Sequence, residues 1–555
     1  MSQRPNAATQ QTTLPPDRAQ PRDRRWVVLC LIIGALLVSI PAHAAEGVAA
    51  QAAAVPAPAP AEARDAPDAA HLRAILAAAP GKKRRALAFV VDLDSGAVIL
   101  DVRGDEPAYP ASVAKLFTTA AAVRTFRGDE RLITRVLAGG RRQSGAATLA
   151  IVGVGDPSLS IKDLGALADK VVAAGITEVA TLVVDHTLFD DALPRGFKEK
   201  NTDATYRAPI DALEVNGSSI AIAVRPGARQ GDRITVEVTP ACDAVRVIDQ
   251  ASTGPGRKST IAVRTRPAGK FTEVLVTGTI GVDRKVVGAG RRRVADAGFF
   301  ADEVFRALLI ERGVRIAAET AYRSAGDGLD VVATHSSETV DSLLAFCNKW
   351  SNNLYAETFY KLVGARGASA QATGEIAERM VLAKLTEVGL NTTRLKLGNG
   401  SGLYHADQFS TRQVTQVLAG MAASPEFGRY RATLAVAGVD GTLRRRLAGA
   451  ATKGKIFAKT GTLDDVTALA GYALGPHRRY AFALLFNDVA GSAGTWRRIH
   501  DRFVTALVNP DASEAETTKK PRQSKPAAAP QRKATRKATP KAKRRARSTN
   551  RVKKR

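Results

Sequence analysis

Ser112 and Lys115 are the residues of this 555-residue chain whose types and spacing could do covalent chemistry. They sit three apart in Pro110-Ala-Ser-Val-Ala-Lys-Leu-Phe-Thr-Thr119, which reads as the start of a buried helix. A proline just before the first turn sacrifices no needed N–H, and Leu116, Ala120 and Val123 form an apolar stripe at helical spacing. Helical residues three apart share a face, about 5–6 Å from each other. A serine hydroxyl is a weak nucleophile until a neighbouring base takes its proton. Lysine can be that base where burial or a second cation lowers its pKa. Ser-x-x-Lys alone is weak evidence, since a helix start beside a surface lysine produces the same spacing.

Two later clusters change the odds: Ser351-Asn-Asn353 and Lys459-Thr-Gly461. A further Ser-x-Asn, Ser548-Thr-Asn550, shows how cheap that triplet is by itself. What carries weight is order and context. A first helix (68–79) leads into apolar runs 85–92 and 97–101, joined at Asp94-Ser-Gly96 as a hairpin, and the Ser112 helix follows. Helical patterns cover 295–313 and 339–349, and Ser351 stands in the polar loop that opens the next helix, ending near Gly364. Lys459 lies in the strand-like run 456–463, followed by runs 468–474 and 480–486 and a helix over 492–508. Between the first two clusters, runs 147–153, 179–184, 219–224, 233–238, 260–264 and 273–279 read as strands, with one helix at 164–174. The expectation is an α/β fold, an antiparallel sheet flanked by helices, with a mostly β domain inserted over 141–295 into a body made of 66–140 and 296–509.

Composition sets the compartment. Arg22, Arg24 and Arg25 precede a 15-residue apolar run, Trp26 to Ile40, too short to span a bilayer. It ends in Pro41-Ala-His-Ala44, so residues 1–44 read as a secretory signal cut after Ala44, and the Ala/Pro-rich 45–65 as a linker. An uncleaved anchor is the other reading. Export leaves only Cys242 and Cys347, neither a disulfide framework nor a metal motif; both read as buried apolar thiols. Half of the +28 net charge belongs to residues 511–555, with 17 Lys/Arg against 3 Asp/Glu. This polybasic tail (510–555) holds too few large apolar residues to fold alone. It carries no interleaved aromatic residue to stack on bases, so anionic envelope polymers fit it better than nucleic acid.

Together the three clusters resemble the active-site motifs of the penicillin-recognising serine acyltransferases. Within them the chain is similar to the S13 group of D-alanyl-D-alanine carboxypeptidases/endopeptidases, the penicillin-binding protein 4 type. Gly155-Asp-Pro-Ser-Leu159, Ser351-Asn-Asn-Leu-Tyr-Ala-Glu357, Gly400-Ser-Gly-Leu403 and Ala437-Gly-Val-Asp-Gly-Thr-Leu-Arg444 fit it as they stand, as does the large insert. Asn399, where the group often has Asp, and Tyr404-His405, where a serine is usual, depart from it.

The resemblance implies a serine β-lactamase/penicillin-binding-protein-like transpeptidase fold and acylation by peptidoglycan stem peptides and β-lactams, with no metal or organic cofactor. It implies Ser112 as nucleophile, Lys115 as base that Lys459 helps hold neutral, Ser351 as proton relay and Asn353 as the orienting amide. Lys459 and Thr460 would lie by the substrate carboxylate, Gly461 would leave room for substrate along the strand edge, and the N–H groups of Ser112 and Thr462 would form the oxyanion hole. Period-2 geometry sends Thr460 and Thr462 to the face opposite Lys459, so a local twist is expected there. A β-lactamase or esterase using the same serine is a competing reading, although no class A-type Glu signature is present. A non-catalytic polybasic wall-binding protein is another.

Overall fold

The computed structural model describes residues 67–509, apart from 82–83, 141–146, 369–370 and 476–477. The expected signal peptide, linker and basic tail lie outside the described residues, as does the expected domain boundary at 141.

The first body is built on a six-stranded antiparallel sheet. Its spatial order is Ala435–Val436, Ile456–Thr462, Val466–Leu474, Arg479–Asn487, Arg85–Asp92 and Val98–Val102. The N-terminal hairpin thus joins the C-terminal strands, with Arg85 opposite Asn487 and Asp92 opposite Tyr480. The central strands are apolar nearly throughout because both faces are covered. Ala468, Ala470, Tyr472, Ala483 and Leu485 face the core containing helices Lys115–Thr125 and Thr411–Ala423. Leu469, Phe482, Leu484 and Phe486 face helices Ala69–Ala77 and Ala493–Val508. Alternation along each strand sends successive side chains to opposite layers. The helix Lys115–Thr125 is buried all round from Lys115 to Val123, rather than along the single stripe its spacing suggested.

The second body has its own core. Strands Arg315–Ile316, Glu178–Asp185, Ala147–Val152, Arg131–Gly139 and Asp330–Thr339 form a mixed sheet in that order, with Ala321–Tyr322 also pairing on Glu178–Asp185. Two three-stranded sheets, 245–254 with 271–281 and 262–268, and 287–293 with 219–225 and 235–239, complete it. Elements flanking the expected insert, 141–295, also join this body. Arg131–Gly139 pairs with Asp330–Thr339, and Phe299, Phe300, Val304, Phe305 and Leu309 of helix Ala297–Glu311 bury in the second core, not the first. Strand partners far apart in sequence leave no local signal, so these flanks read as part of the first body.

Candidate active site

Residues Ala111–Ala114 form a turn of 3-10 helix that leads into the α-helix Lys115–Thr125. Side chains three apart nearly eclipse in that geometry, and Lys115 Nζ lies 3.1 Å from Ser112 Oγ. The same amine bonds Asn353 Oδ1 and the Ser401 carbonyl, both at 2.7 Å. Lys459 Nζ donates to Ser351 Oγ and to the Thr460 carbonyl, both at 2.8 Å. Ser112, Lys115, Ser351, Asn353 and Lys459 therefore stand in one place.

Two backbone features hold the hydroxyls there. Ala111, before Ser112, and Ser351 itself occupy the left-handed region at φ 48° and 57°, conformations that cost free energy for a residue with a Cβ and persist only under tight packing. Ser351 ends the helix Val340–Trp350, and Asn352 rather than Ser351 caps the next helix, Asn353–Gly367, by accepting from Tyr355 N–H. The cap thus takes its oxygen from the middle of the triplet and leaves Ser351 and Asn353 turned to the lysines.

Electrostatics follow from burial. Lys115 and Lys459 are both fully buried. Loss of water pulls Lys115 down from 10.5 to about 8, against the opposing fields of Cys347, Glu357 and Asp407. Lys459 is driven well below the usual lysine value, first by burial and then by the Lys115 charge. Repulsion between the amines, expected to help hold Lys115 neutral, is second to desolvation at Lys459 and does not figure among the causes at Lys115. Burial likewise pushes the Glu357 and Asp407 carboxyls up, and lifts the Cys347 thiol to about 11, leaving it neutral.

The strand carrying Lys459 is regular. Its register runs unbroken from Lys459 opposite Ala470 to Thr462 opposite Thr467, with no bulge to turn a side chain to the other face. Lys459 instead curls its long side chain back to its neighbour's carbonyl. The Thr460 hydroxyl bonds Thr442 Oγ1 at 3.1 Å, away from the Ser112 cavity, whereas Thr462 lines that cavity. Gly461 is required by close approach: a Cβ there would stand 2.8 Å from the Pro110 carbonyl and 3.1 Å from the Ala111 Cβ. On its outer side the strand is paired only at Phe457 and Ala458, so the edge 459–462 is open. Leu463 N–H turns inward to Val466 O, and alternation points the Thr462 N–H to that open edge.

A cavity of about 310 Å³ opens in front of Ser112, lined also by Asn353, Gly402, Tyr404, Thr462 and Lys200. A second, of about 320 Å³, starts beyond Tyr206 and Asn353 and reaches Ser351, Tyr355 and Arg291. The larger cavity, about 350 Å³ between Arg195, Glu378 and Lys396, touches none of the reactive groups. Three participants escaped the sequence reading: the Ser401 carbonyl on Lys115, the Tyr206 carbonyl that accepts from Asn353 Nδ2 at 2.9 Å, and Thr442. The first two act through backbone atoms, which any residue supplies. Asn399 holds the Ser401 loop, with Oδ1 accepting from the Ser401 and Gly402 N–H groups and Nδ2 donating to the Arg195 and Leu403 carbonyls.

Comparison with known proteins gives the family and the fold. The profile of the D-Ala-D-Ala carboxypeptidase 3 (S13) family matches residues 69–507. A D-alanyl-D-alanine carboxypeptidase of Actinomadura sp. is 32% identical over 422 residues, covering 73% of this chain and 78% of that protein. The D-alanyl-D-alanine carboxypeptidase DacB of Haemophilus influenzae is 23% identical over 388 residues, 69% of this chain and 80% of the relative. The crystal structure of penicillin binding protein 4 (dacB) from Haemophilus influenzae superposes with a TM-score of 0.68 at 21% identity, covering 79% of this chain and 98% of that one. That likeness shows the fold: a penicillin-binding-protein sheet and helices with a large insert. On the match across most of its length, the chain belongs to the D-Ala-D-Ala carboxypeptidase 3 (S13) family.

Proposed function

We propose that this serine-type D-Ala-D-Ala carboxypeptidase works through an acyl-enzyme on Ser112. The observation that carries the reading is the set of partners around Lys115 Nζ. The Asn353 side-chain oxygen and the Ser401 carbonyl can only accept, so a neutral amine spends both N–H bonds on them. Its lone pair then faces the third partner, the Ser112 hydroxyl. Ser112 Oγ attacks the carbonyl of the penultimate D-Ala of a peptidoglycan stem while its proton passes to Lys115. As the C–N bond breaks, Ser351, bonded to Lys459, delivers its proton to the departing amine, and the proton taken up by Lys115 makes good the loss through the two amines, assistance worth about 10²–10⁴-fold. The Ser112 and Thr462 N–H groups hold the oxyanion, each worth about 2.7–4 kcal/mol. Water then attacks the ester and frees the enzyme. A cross-link amine in place of the terminal D-Ala makes the same chemistry an endopeptidase step. The open edge at Lys459, Thr460, Gly461 and Thr462 receives the substrate backbone, and a β-lactam carbonyl acylates Ser112 in the same way.

Export behind residues 1–44 brings the enzyme to its polymer, and the basic tail adds an anionic envelope tether. Deleting 511–555 shifts the protein to the free pool at low salt if the tether operates. Replacing Ser112 by Ala abolishes both D-Ala release and covalent labelling by a fluorescent penicillin. Label persisting at the wild-type rate overturns the assignment.

A further inference from the structure

Beside the cleft, the helix Val340–Trp350 presents an aromatic surface that the chemistry above does not use. Phe346 and Trp350, four apart on one helical face, are 41% and 51% exposed. Solvent-facing aromatics of this size are unusual unless they meet a partner. Phe346 packs against Tyr355 with ring centroids 4.7 Å apart. Tyr355 in turn lines the cavity that holds Ser351 and Asn353. The aromatic surface is thus continuous with the cleft, and Trp350 immediately precedes Ser351 in the chain. Its rim is polar. Lys349 is bonded to Asp440 at 2.5 Å, and the Arg444 guanidinium stands 5.4 Å from the Trp350 ring centre. In the same turn as Asp440, Val439 is 56% exposed.

We propose that Phe346, Trp350 and Tyr355 form a platform for the saccharide strand that carries the stem peptide, an inference that rests on the stem-peptide reading of the cleft. A pyranose ring offers one face of axial C–H bonds to an aromatic surface, while its hydroxyl and acetamido groups take hydrogen bonds from a polar rim. This surface has both features. Every stem peptide is joined to such a strand, so the polymer leaving the cleft has a docking face within reach.

The test compares D-Ala release from a free stem pentapeptide with release from the same pentapeptide borne on a glycan strand. The wild-type enzyme favours the strand-borne substrate. Trp350→Ala and Phe346→Ser each reduce kcat/KM on it by about tenfold, through KM, while free-peptide turnover and penicillin acylation stay within about twofold, below the usual reach of a lost contact. Equal wild-type values for both substrates, or equal losses on both in the variants, overturn the proposal. Phe346→Ser, away from the chain segment of Ser351, separates lost docking from a displaced Ser351. Co-sedimentation with glycan strands stripped of peptide reads the platform without catalysis. Binding that is lost in the variants supports the platform even if D-Ala release from every substrate fails, a failure that would count against the stem-peptide reading. No binding by the wild-type protein refutes the platform.

Discussion

In the proposed mechanism, Lys115 works by having no hydration. Fully buried, it is held at about 8, so a usable fraction is free base near neutrality and its three partners dictate where the lone pair points. Acylation by penicillin is therefore expected to climb as pH rises through about 8, following titration of this amine; a flat profile across that interval would show that Lys115 is not the base. Lys115→Ala should lower the acylation rate by at least about 10²-fold. Lys459→Ala, by contrast, removes the amine that donates to Ser351. Its larger effect should fall on peptide turnover, measured as D-Ala release, than on β-lactam acylation. Ser112, Lys115, Ser351, Asn353 and Lys459 were legible because their side-chain types define the chemistry. The Ser401 carbonyl was not, because backbone groups have no residue signature.

Elements place these groups by close contact. The loop Gly398–Leu403 presses on the nucleophile turn: at Gly402, with φ +73°, an added Cβ would lie 1.9 Å from the Ala111 carbonyl. Gly402→Ala is expected to destabilise by at least about 2 kcal/mol, and to slow acylation because the strain is relieved by moving Ala111 and Ser112. Thermal melting and penicillin labelling check both effects. The terminal helix contributes differently. His500 is fully buried, stacks on Phe486 with ring centres 4.9 Å apart, and is pushed from 6.5 to about 3 by burial and by Arg446 and Arg497. The unfolded chain takes up this proton first, so the contribution is complete above pH 6.5 and is lost as pH falls towards 3. At pH 5 the loss is about 2 kcal/mol. Stability of His500→Leu, followed by denaturant unfolding, should accordingly fall less between pH 7 and 5 than that of the wild type.

Across the whole molecule, the insert completes the cleft. Its Tyr206 carbonyl orients Asn353, and Glu199 and Lys200 reach over to the catalytic body. Lys200 meets Asp464 at 2.5 Å, and His405 bridges Glu199 at 2.7 Å and Asp465 at 3.2 Å. Burial lowers the His405 pKa, but bonds to the two carboxylates outweigh it and raise the value. The Lys200–Asp464 pair is exposed, so solvent screens it and breaking it leaves stability almost unchanged. Asp464→Ala should leave the melting temperature nearly unchanged yet raise KM for stem peptides, because it loosens a wall of the 310 Å³ cavity.

Local patterns in the chain determined the helices and strands around each cluster, the presence of a mostly β insert and the residue types able to act, since periodicity and side-chain chemistry are written residue by residue. Tertiary structure decided where the insert closes, by pairing Arg131–Gly139 with Asp330–Thr339 across nearly 200 intervening residues. It also decided how two lysines give up their usual charge. Desolvation depends on what packs around an amine from every direction, and no stretch of sequence contains that shell.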